Sequence, residues 1–506
     1  MSNTANTATA TAAKAARRYT NYVNGRDQEG RDGATFESIN PTTGKAFGQF
    51  VESSAADVDV AVRAAHAAFD GPWRKLSPTR RGRLMMRWGD LITEQAEKIA
   101  TLETEQNGKL FAEMRAQAGI VQDWLYYFGG LADKIEGRVV PLDRTSVLNY
   151  TMPEPLGVVA AIVPWNSPTF LTIMTVGPAL AAGNTIVIKP SEVTSASAFE
   201  LARLAEKAGI PPGVVNVVTG GRAAGEALVS HPLVAKISFT GSDAAGRDIA
   251  ARAGQRLIGC TLELGGKSPN IVFDDADIEQ VEAGVLAGIF AAAGQTCVAG
   301  SRAFFQKGIY DRLTARLVDR AKNIRLGDPL KADTQMGPVA TAAQLAKDEK
   351  MVARAVSDGA RVLTGGERKR VDGFEGGYFY APTILEGAKE DAFIMQNEVF
   401  GPVLCVTPFE TEEDVLKLAN GTAFGLAAGV WTRDIRRGHL MARRLQAGTV
   451  WINTYRALTF NSPFGGFKNS GLGRLNGAEA IQNFLQTKSV WCELSSDVQD
   501  PFVMKS

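Results

Sequence analysis

From residue 157 to residue 273 the chain alternates short apolar runs of strand length with segments of helical period, and that alternation restricts the fold more than any other feature. Val158–Val163 is followed by a helical pattern over 169–181, a strand-like run at 185–188 and a helix over 195–208. Gly209 is placed to cap that helix in a left-handed conformation, with Pro211-Pro212 just beyond it. Strand-like runs at 214–218 and 235–239, with helical patterns near 223–229 and over 243–253, continue the series. The expectation is a mostly parallel sheet with helices on both faces, whose ligands sit at the carboxyl ends of the strands.

The rest of the chain is arranged around this region. Short strands are expected near 22–25 and 36–41, broken by Gly and Pro turns. Between 55 and 131 apolar residues recur at three and four (Val58, Val62, Ala65, Phe69; Leu84, Trp88, Leu91, Ile92), the pattern of helices with one buried face. Trp88, Trp124, Tyr126 and Tyr127 are assigned to the core. Residues 138–150 read as a hairpin with little core of its own, and 487–491 alternate like an exposed strand that would partner it in an oligomer. A second α/β series carries helical patterns near 277–293, 310–323, 340–357, 412–419 and 435–445.

Charge and cysteine content limit the partners. Lys and Arg total 55 against 54 Asp and Glu, so no global field recruits nucleic acid or an anionic membrane, and a small-molecule partner is expected. No apolar run approaches the roughly 18 residues of a membrane span. Cys260, Cys297, Cys405 and Cys492 are far apart and lack metal-ligand spacing, so a reducing, cytoplasmic setting is expected and no metal site. The first eighteen residues, rich in Ala, Thr and Asn, read as a disordered tail.

Two stretches carry the chemistry. Ala292-Ala293-Gly294-Gln295-Thr296-Cys297-Val298-Ala299-Gly300-Ser301 ends an apolar helical run in a small-residue turn with one thiol, the candidate nucleophile. Upstream by 34 positions lies Leu262-Glu263-Leu264-Gly265-Gly266-Lys267, a carboxylate followed by two glycines that permit a sharp turn and close approach; its Glu263 is the candidate base. The only histidines, His66, His231 and His439, lie near neither stretch, which leaves a cysteine served by a glutamate.

With these placed, the chain from about residue 22 onward resembles the aldehyde dehydrogenases that use a nicotinamide cofactor. The likeness rests on Pro164-Trp165-Asn166, Lys189-Pro190-Ser191-Glu192, Phe239-Thr240-Gly241-Ser242, the Glu263 and Cys297 stretches, Glu398-Val399-Phe400-Gly401-Pro402 and Ser462-Pro463-Phe464-Gly465-Gly466, all in order. It implies an α/β fold: a Rossmann-like NAD-binding domain (21–135 and 153–262), a second α/β catalytic domain (263–475) and a small β oligomerisation arm (136–152 and 476–506), after a tail at 1–20. It implies a homodimer or homotetramer.

The resemblance also assigns roles. Cys297 would attack the aldehyde; the Asn166 side chain and the Cys297 backbone N–H would hold the oxyanion; Glu263 would activate the water that hydrolyses the thioester. Lys189 and Glu192 would hold the adenosine ribose, where a carboxylate favours NAD over NADP. Gly225, Gly241 and Ser242 would face the pyrophosphate, Gly225 and Ser242 more securely than Gly221. Val163, Trp165, Leu264, Glu398 and Phe400 would border the cofactor.

The loop before Pro463 would line the aldehyde tunnel, with Tyr455 and Arg456 contributed by this chain and Phe170 and Met174 as apolar walls. Arg456 suggests a substrate with a carboxylate or strongly polar end, against the plainer reading of a loop arginine paired with a local carboxylate. Two alternatives stand beside a free-acid-forming enzyme: a CoA-acylating relative, which Glu263 argues against, and an inactive structural or binding homologue. An activated Cys297 is expected to alkylate faster than the other three cysteines.

Overall fold

The computed structural model describes residues 17–498 and residue 502. Its central sheet has eight strands in the order Gly471–Leu472, Gly259–Glu263, Val234–Thr240, Val158–Val163, Thr185–Pro190, Val215–Val217, Asn21–Val23, Arg26–Gln28. The five middle strands of this order, Gly259–Glu263 to Val215–Val217, carry the α/β series and form four parallel pairs, and antiparallel strands flank them at both ends. Both faces of the parallel strands are covered, as their continuous apolar character requires. Val159, Ala161, Val163, Ile186 and Ile188 share a core with Trp88, Leu125 and Phe128, while Val158, Ala160 and Val187 pack on the other side with Val62, Leu228 and Ile249.

The strand order fixes where a ligand can enter. Val158–Val163 has its successor Thr185–Pro190 on one side and Val234–Thr240, reached only after two further strands, on the other. The winding direction reverses between those neighbours, so the connections leaving their carboxyl ends diverge and open a crevice.

A second sheet of seven strands runs Arg361–Thr364, Thr383–Glu386, Val403–Phe409, Arg302–Gln306, Pro269–Val272, Ala427–Trp431, Thr449–Ile452, parallel except for the first pair. It has its own core, including Ile271, Phe304, Phe305, Leu404 and Val430. Only residues 264–268 separate Glu263, the last residue of a first-sheet strand, from Pro269, the first of a second-sheet strand. The Glu263 stretch is therefore the shorter of two covalent joints between the sheets, the chain crossing back between Thr449–Ile452 and Gly471–Leu472.

Three expectations are corrected. Residues 1–16 of the expected tail lie outside the described residues, but Arg17–Tyr19, also placed in that tail, forms a strand parallel to Lys45–Val51, with Tyr19 stacked on Phe50 at 4.5 Å. The terminal strand Leu485–Glu493 pairs antiparallel with Val147–Pro155 of the same chain rather than with another copy. The helical pattern at 277–293 is helical only over Ile278–Ile289; Ala292, Ala293 and Gly294 have φ of 59°, 51° and 71°. Among the described residues, no helix is long and apolar enough to cross a membrane.

Candidate active site

Three successive left-handed residues turn the chain back on itself just before Cys297. For an alanine that conformation costs about 1–2 kcal/mol, so the surroundings must impose it. Gln295 does part of this: its Oε1 accepts from the Ala340 N–H at 2.8 Å. Gly294 lies so close to the Gly401 carbonyl that a Cβ there would be 2.0 Å from the oxygen. On the far side, the Tyr455 hydroxyl donates to the Val298 carbonyl at 3.0 Å. The thiol is thus held by a rigid turn, and the backbone N–H groups of Cys297 and Val298 act on its sulfur in favour of the anion.

Burial outweighs those donors. The Cys297 thiol is pushed up to about 12, first by desolvation and then by the nearby carboxylates Glu398 and Glu263. Glu263 is itself 4% exposed, with neither oxygen hydrogen-bonded, and desolvation holds its carboxyl well above the usual range against a weaker pull from Arg474. Glu398 accepts from the Gly266 N–H at 3.0 Å, and burial brings it up to about 7. A Cβ on Gly266 would be 2.5 Å from the Cys297 carbonyl oxygen, so the joint between the sheets lies directly against the thiol turn. That close approach is what the two glycines after Glu263 permit.

Two cavities lie on either side of the Trp165-Asn166 peptide. One, of about 690 Å³, opens at the crevice where the first sheet reverses, and is lined by Val163, Trp165, Lys189, Glu192, Gly225, Gly241 and Ser242 among others. The other, of about 440 Å³, is lined by Asn166, Phe170, Met174, Cys297 and Arg456. Trp165 borders the first and its neighbour Asn166 the second. The Asn166 side chain donates to the Gln295 carbonyl at 3.2 Å, two residues before the thiol.

In the first cavity Lys189 is buried, and its Nζ donates to the Pro190 carbonyl at 3.1 Å and lies 3.9 Å from Glu192. Desolvation lowers its affinity for a proton, so an acceptor offered there would be held strongly. Gly225 lies against the Lys189 stem, whose nearest carbons would be in ordinary van der Waals contact, 3.7 Å, with a Cβ there. Ser242 caps the helix Asp243–Gln255, and its hydroxyl accepts from the Ala245 N–H. A buried cation, a helix amino terminus and a carboxylate around one cavity suit a dinucleotide with its phosphates and ribose hydroxyls. The Gly221 N–H is already donated to Glu52 at 2.9 Å, which agrees with giving Gly221 less weight.

Not every candidate faces a cavity. Leu264, Glu398 and Phe400 do not line the larger one; Phe400 instead packs edge-on against Trp165, with ring centroids 5.4 Å apart. Glu263 borders neither cavity. Tyr455, expected to touch substrate, lies behind the turn with its ring against Gly288, Gly300 and Gly429, because its hydroxyl is committed to Val298. Arg456 does line the smaller cavity but bonds Glu113 Oε1 and the Ala287 carbonyl, both at 3.2 Å. The plainer reading of that arginine is the observed one.

Sequence reasoning missed Glu113, Gln117 and Trp124. All three project from the helix Phe111–Leu131 into the smaller cavity. Their spacing of four and then seven is the signal that was present, a polar and aromatic stripe on one helical face. Trp124 is indeed buried, but as a cavity wall.

A model of the aldehyde dehydrogenase family matches residues 28–490. The chain is 44% identical to (Z)-2-((N-methylformamido)methylene)-5-hydroxybutyrolactone dehydrogenase of Acinetobacter baylyi, over 96% of this chain and 99% of that one. It is 42% identical to betaine aldehyde dehydrogenase of Mesorhizobium japonicum, over 95% and 98%. Among solved structures, Staphylococcus aureus betaine aldehyde dehydrogenase in complex with NAD+ superposes with a TM-score of 0.94 at 36% identity, covering 96% of each chain. The NAD+ complex of a Bacillus cereus aldehyde dehydrogenase gives 0.92 at 40% identity, covering 95% and 97%.

Proposed function

This chain belongs to the aldehyde dehydrogenase family, and we propose that it oxidises its aldehyde to the free carboxylic acid through a thioester on Cys297, with NAD rather than NADP. The observation that carries most weight is that Cys297 and Asn166 line one cavity while Trp165, the residue before Asn166, lines the other.

The Cys297 sulfur adds to the aldehyde carbon, and the proton from the thiol leaves to a carboxylate of the site. The new oxyanion is met by the Asn166 amide and the Cys297 backbone N–H, donors already fixed before reaction. NAD, held by Lys189, Glu192, Gly225, Gly241 and Ser242, accepts the hydride released from that carbon. The thioester left on Cys297 must then be hydrolysed. Glu263 takes a proton from the attacking water, and its burial suits it to this, since a carboxyl with raised proton affinity is a stronger base than one in water. Phe400, packed on Trp165, and Glu398, tied to Gly266, shape the boundary between the two cavities.

Glu192 supports NAD: a carboxylate accepts from ribose hydroxyls and repels a 2′-phosphate. The arm supports a homo-oligomer, since Leu485–Glu493 is an edge strand carrying Trp491 at 64% exposure. The experiment is product analysis: NADH and free acid formed in equal amounts without CoA support the proposal, and turnover that depends on CoA and yields no acid refutes it. A protein that forms neither product from any aldehyde is the inactive homologue.

A further inference from the structure

Part of the lining of the smaller cavity is built around one carboxylate with an asymmetric environment. Glu113 Oε1 accepts three hydrogen bonds: from Lys109 Nζ at 3.3 Å, from Gln117 Nε2 at 3.2 Å and from Arg456 Nη2 at 3.2 Å. Its Oε2 has no partner among the described residues and is not sealed from solvent. Lys109 and Arg456 keep this carboxyl ionised against the effect of burial. Beside it, Gln117 has its amide oriented by the bond it gives to Glu113, which leaves its Oε1 a buried acceptor with no partner. Glu113 Oε2 and Gln117 Oε1 are thus unpartnered acceptors, beside a guanidinium that gives only two of its five N–H groups to Glu113 and Ala287.

The cation there is partly committed. Arg456 adopts a left-handed backbone conformation, φ 64°, and its guanidinium is held by Glu113 on one side and by the Ala287 carbonyl on the other. A substrate carboxylate reaching Arg456 would lie beside the Glu113 charge already paired with it. The apolar walls of the same cavity are Trp124, Phe170, Met174, Leu458 and Phe464. Trp124 and Phe170 meet edge to face, with centroids 5.0 Å apart.

We propose that Glu113 Oε2 and Gln117 Oε1 select aldehydes whose far end carries an uncharged hydrogen-bond donor, a hydroxyl or amide N–H, on an aromatic or similarly flat apolar body. This rests on the reading of the smaller cavity as the aldehyde site. It replaces the carboxylated substrate suggested by Arg456 alone. A donor end gives the unpartnered acceptors what they lack, whereas a methyl end leaves them desolvated and a carboxylate end adds like charge.

The test compares three para substituents, methyl, hydroxymethyl and carboxylate, on benzaldehyde and on the longer cinnamaldehyde, so that reach is sampled at two lengths. The wild-type protein is expected to favour hydroxymethyl over methyl in kcat/KM by about 10- to 100-fold at one length, the range of a hydrogen bond to a charged group. Carboxylate should rank last. Glu113→Gln should remove most of the hydroxymethyl preference and improve the carboxylate relative to methyl, because Arg456 is released. Glu113→Asp keeps a charge opposite the buried Lys109 but withdraws the oxygens, and should also lose the preference; it serves if Glu113→Gln folds poorly.

Calorimetric binding of the same aldehydes to Cys297→Ser protein reads selection without turnover. Selection in binding without turnover in the wild type would strike the activity and leave this inference standing. Equal use of methyl and hydroxymethyl at both lengths, a preference for carboxylate, or a preference unchanged in both Glu113 variants would overturn it.

Discussion

Replacing Glu263 by Gln separates the two halves of the proposed reaction. The amide has nearly the shape of the carboxyl and enters a site where both oxygens are buried without partners, so packing is retained. What is lost is the base for water, a contribution of about 10²- to 10⁴-fold, or roughly 3–5 kcal/mol on the barrier to thioester hydrolysis. Attack by Cys297 and hydride release precede that step. Rapid mixing with NAD and aldehyde should therefore give a burst of up to one NADH per site, followed by a steady rate reduced by that factor.

The pH profile follows from the same burial. Because the Glu263 carboxyl is raised, wild-type turnover should climb as pH rises through that elevated value, and the variant should lack this limb. Stability moves the other way. A carboxyl raised in the folded protein is held neutral more firmly than in the unfolded chain, so wild-type stability falls as pH rises from the unfolded value through the folded one. The Gln variant should show a smaller fall, since Glu398 and Asp348, each also raised to about 7, keep their shares, and chemical denaturation at pH 5 and pH 8 measures the difference. A variant with no burst and an undiminished steady rate would refute the assignment of Glu263 to hydrolysis.

Desolvation of the Cys297 thiol argues against the expected fast alkylation. With the thiol near 12, about one molecule in 10⁴ is thiolate at pH 8, against about a quarter for an ordinary cysteine, so in the cofactor-free protein the exposed Cys492 should label with iodoacetamide first. Cys297 labelling should rise about tenfold per pH unit up to pH 10, and a plateau below pH 8 would contradict the structure. Gly266→Ala places a methyl 2.5 Å from the Cys297 carbonyl oxygen, an overlap expected to cost about 1–3 kcal/mol of stability and to displace the thiol; a normal melting temperature with normal kcat would show the approach is unimportant. Glu192→Ser should raise kcat/KM with NADP relative to NAD by at least about tenfold, since one unit of repulsion is removed; an unchanged ratio in steady-state assays would remove Glu192 from that role.

The sequence by itself determined the α/β alternation, the helical stretch before it and the residues proposed to carry the chemistry, because each leaves a local mark. Val158–Val163 and its successors read as buried strands from their apolar runs, and Gly209 caps its helix at φ 94° as its position before Pro211 suggests. Cys297 and Glu263 stood out because the residues around them are small enough for close backbone approach. Tertiary structure alone decided what those residues touch. Nothing local to Ala292 or Ala293 requires a left-handed turn; Gln295 and Gly401 impose it from outside. Nothing near Arg456 reveals that Glu113, 343 positions away, occupies its guanidinium, or that Tyr455 faces away from substrate toward Val298. Periodicity reports which side of an element is buried, whereas charge pairing and desolvation depend on which distant segment lies opposite, and that is settled only when the two sheets are joined at residues 264–268.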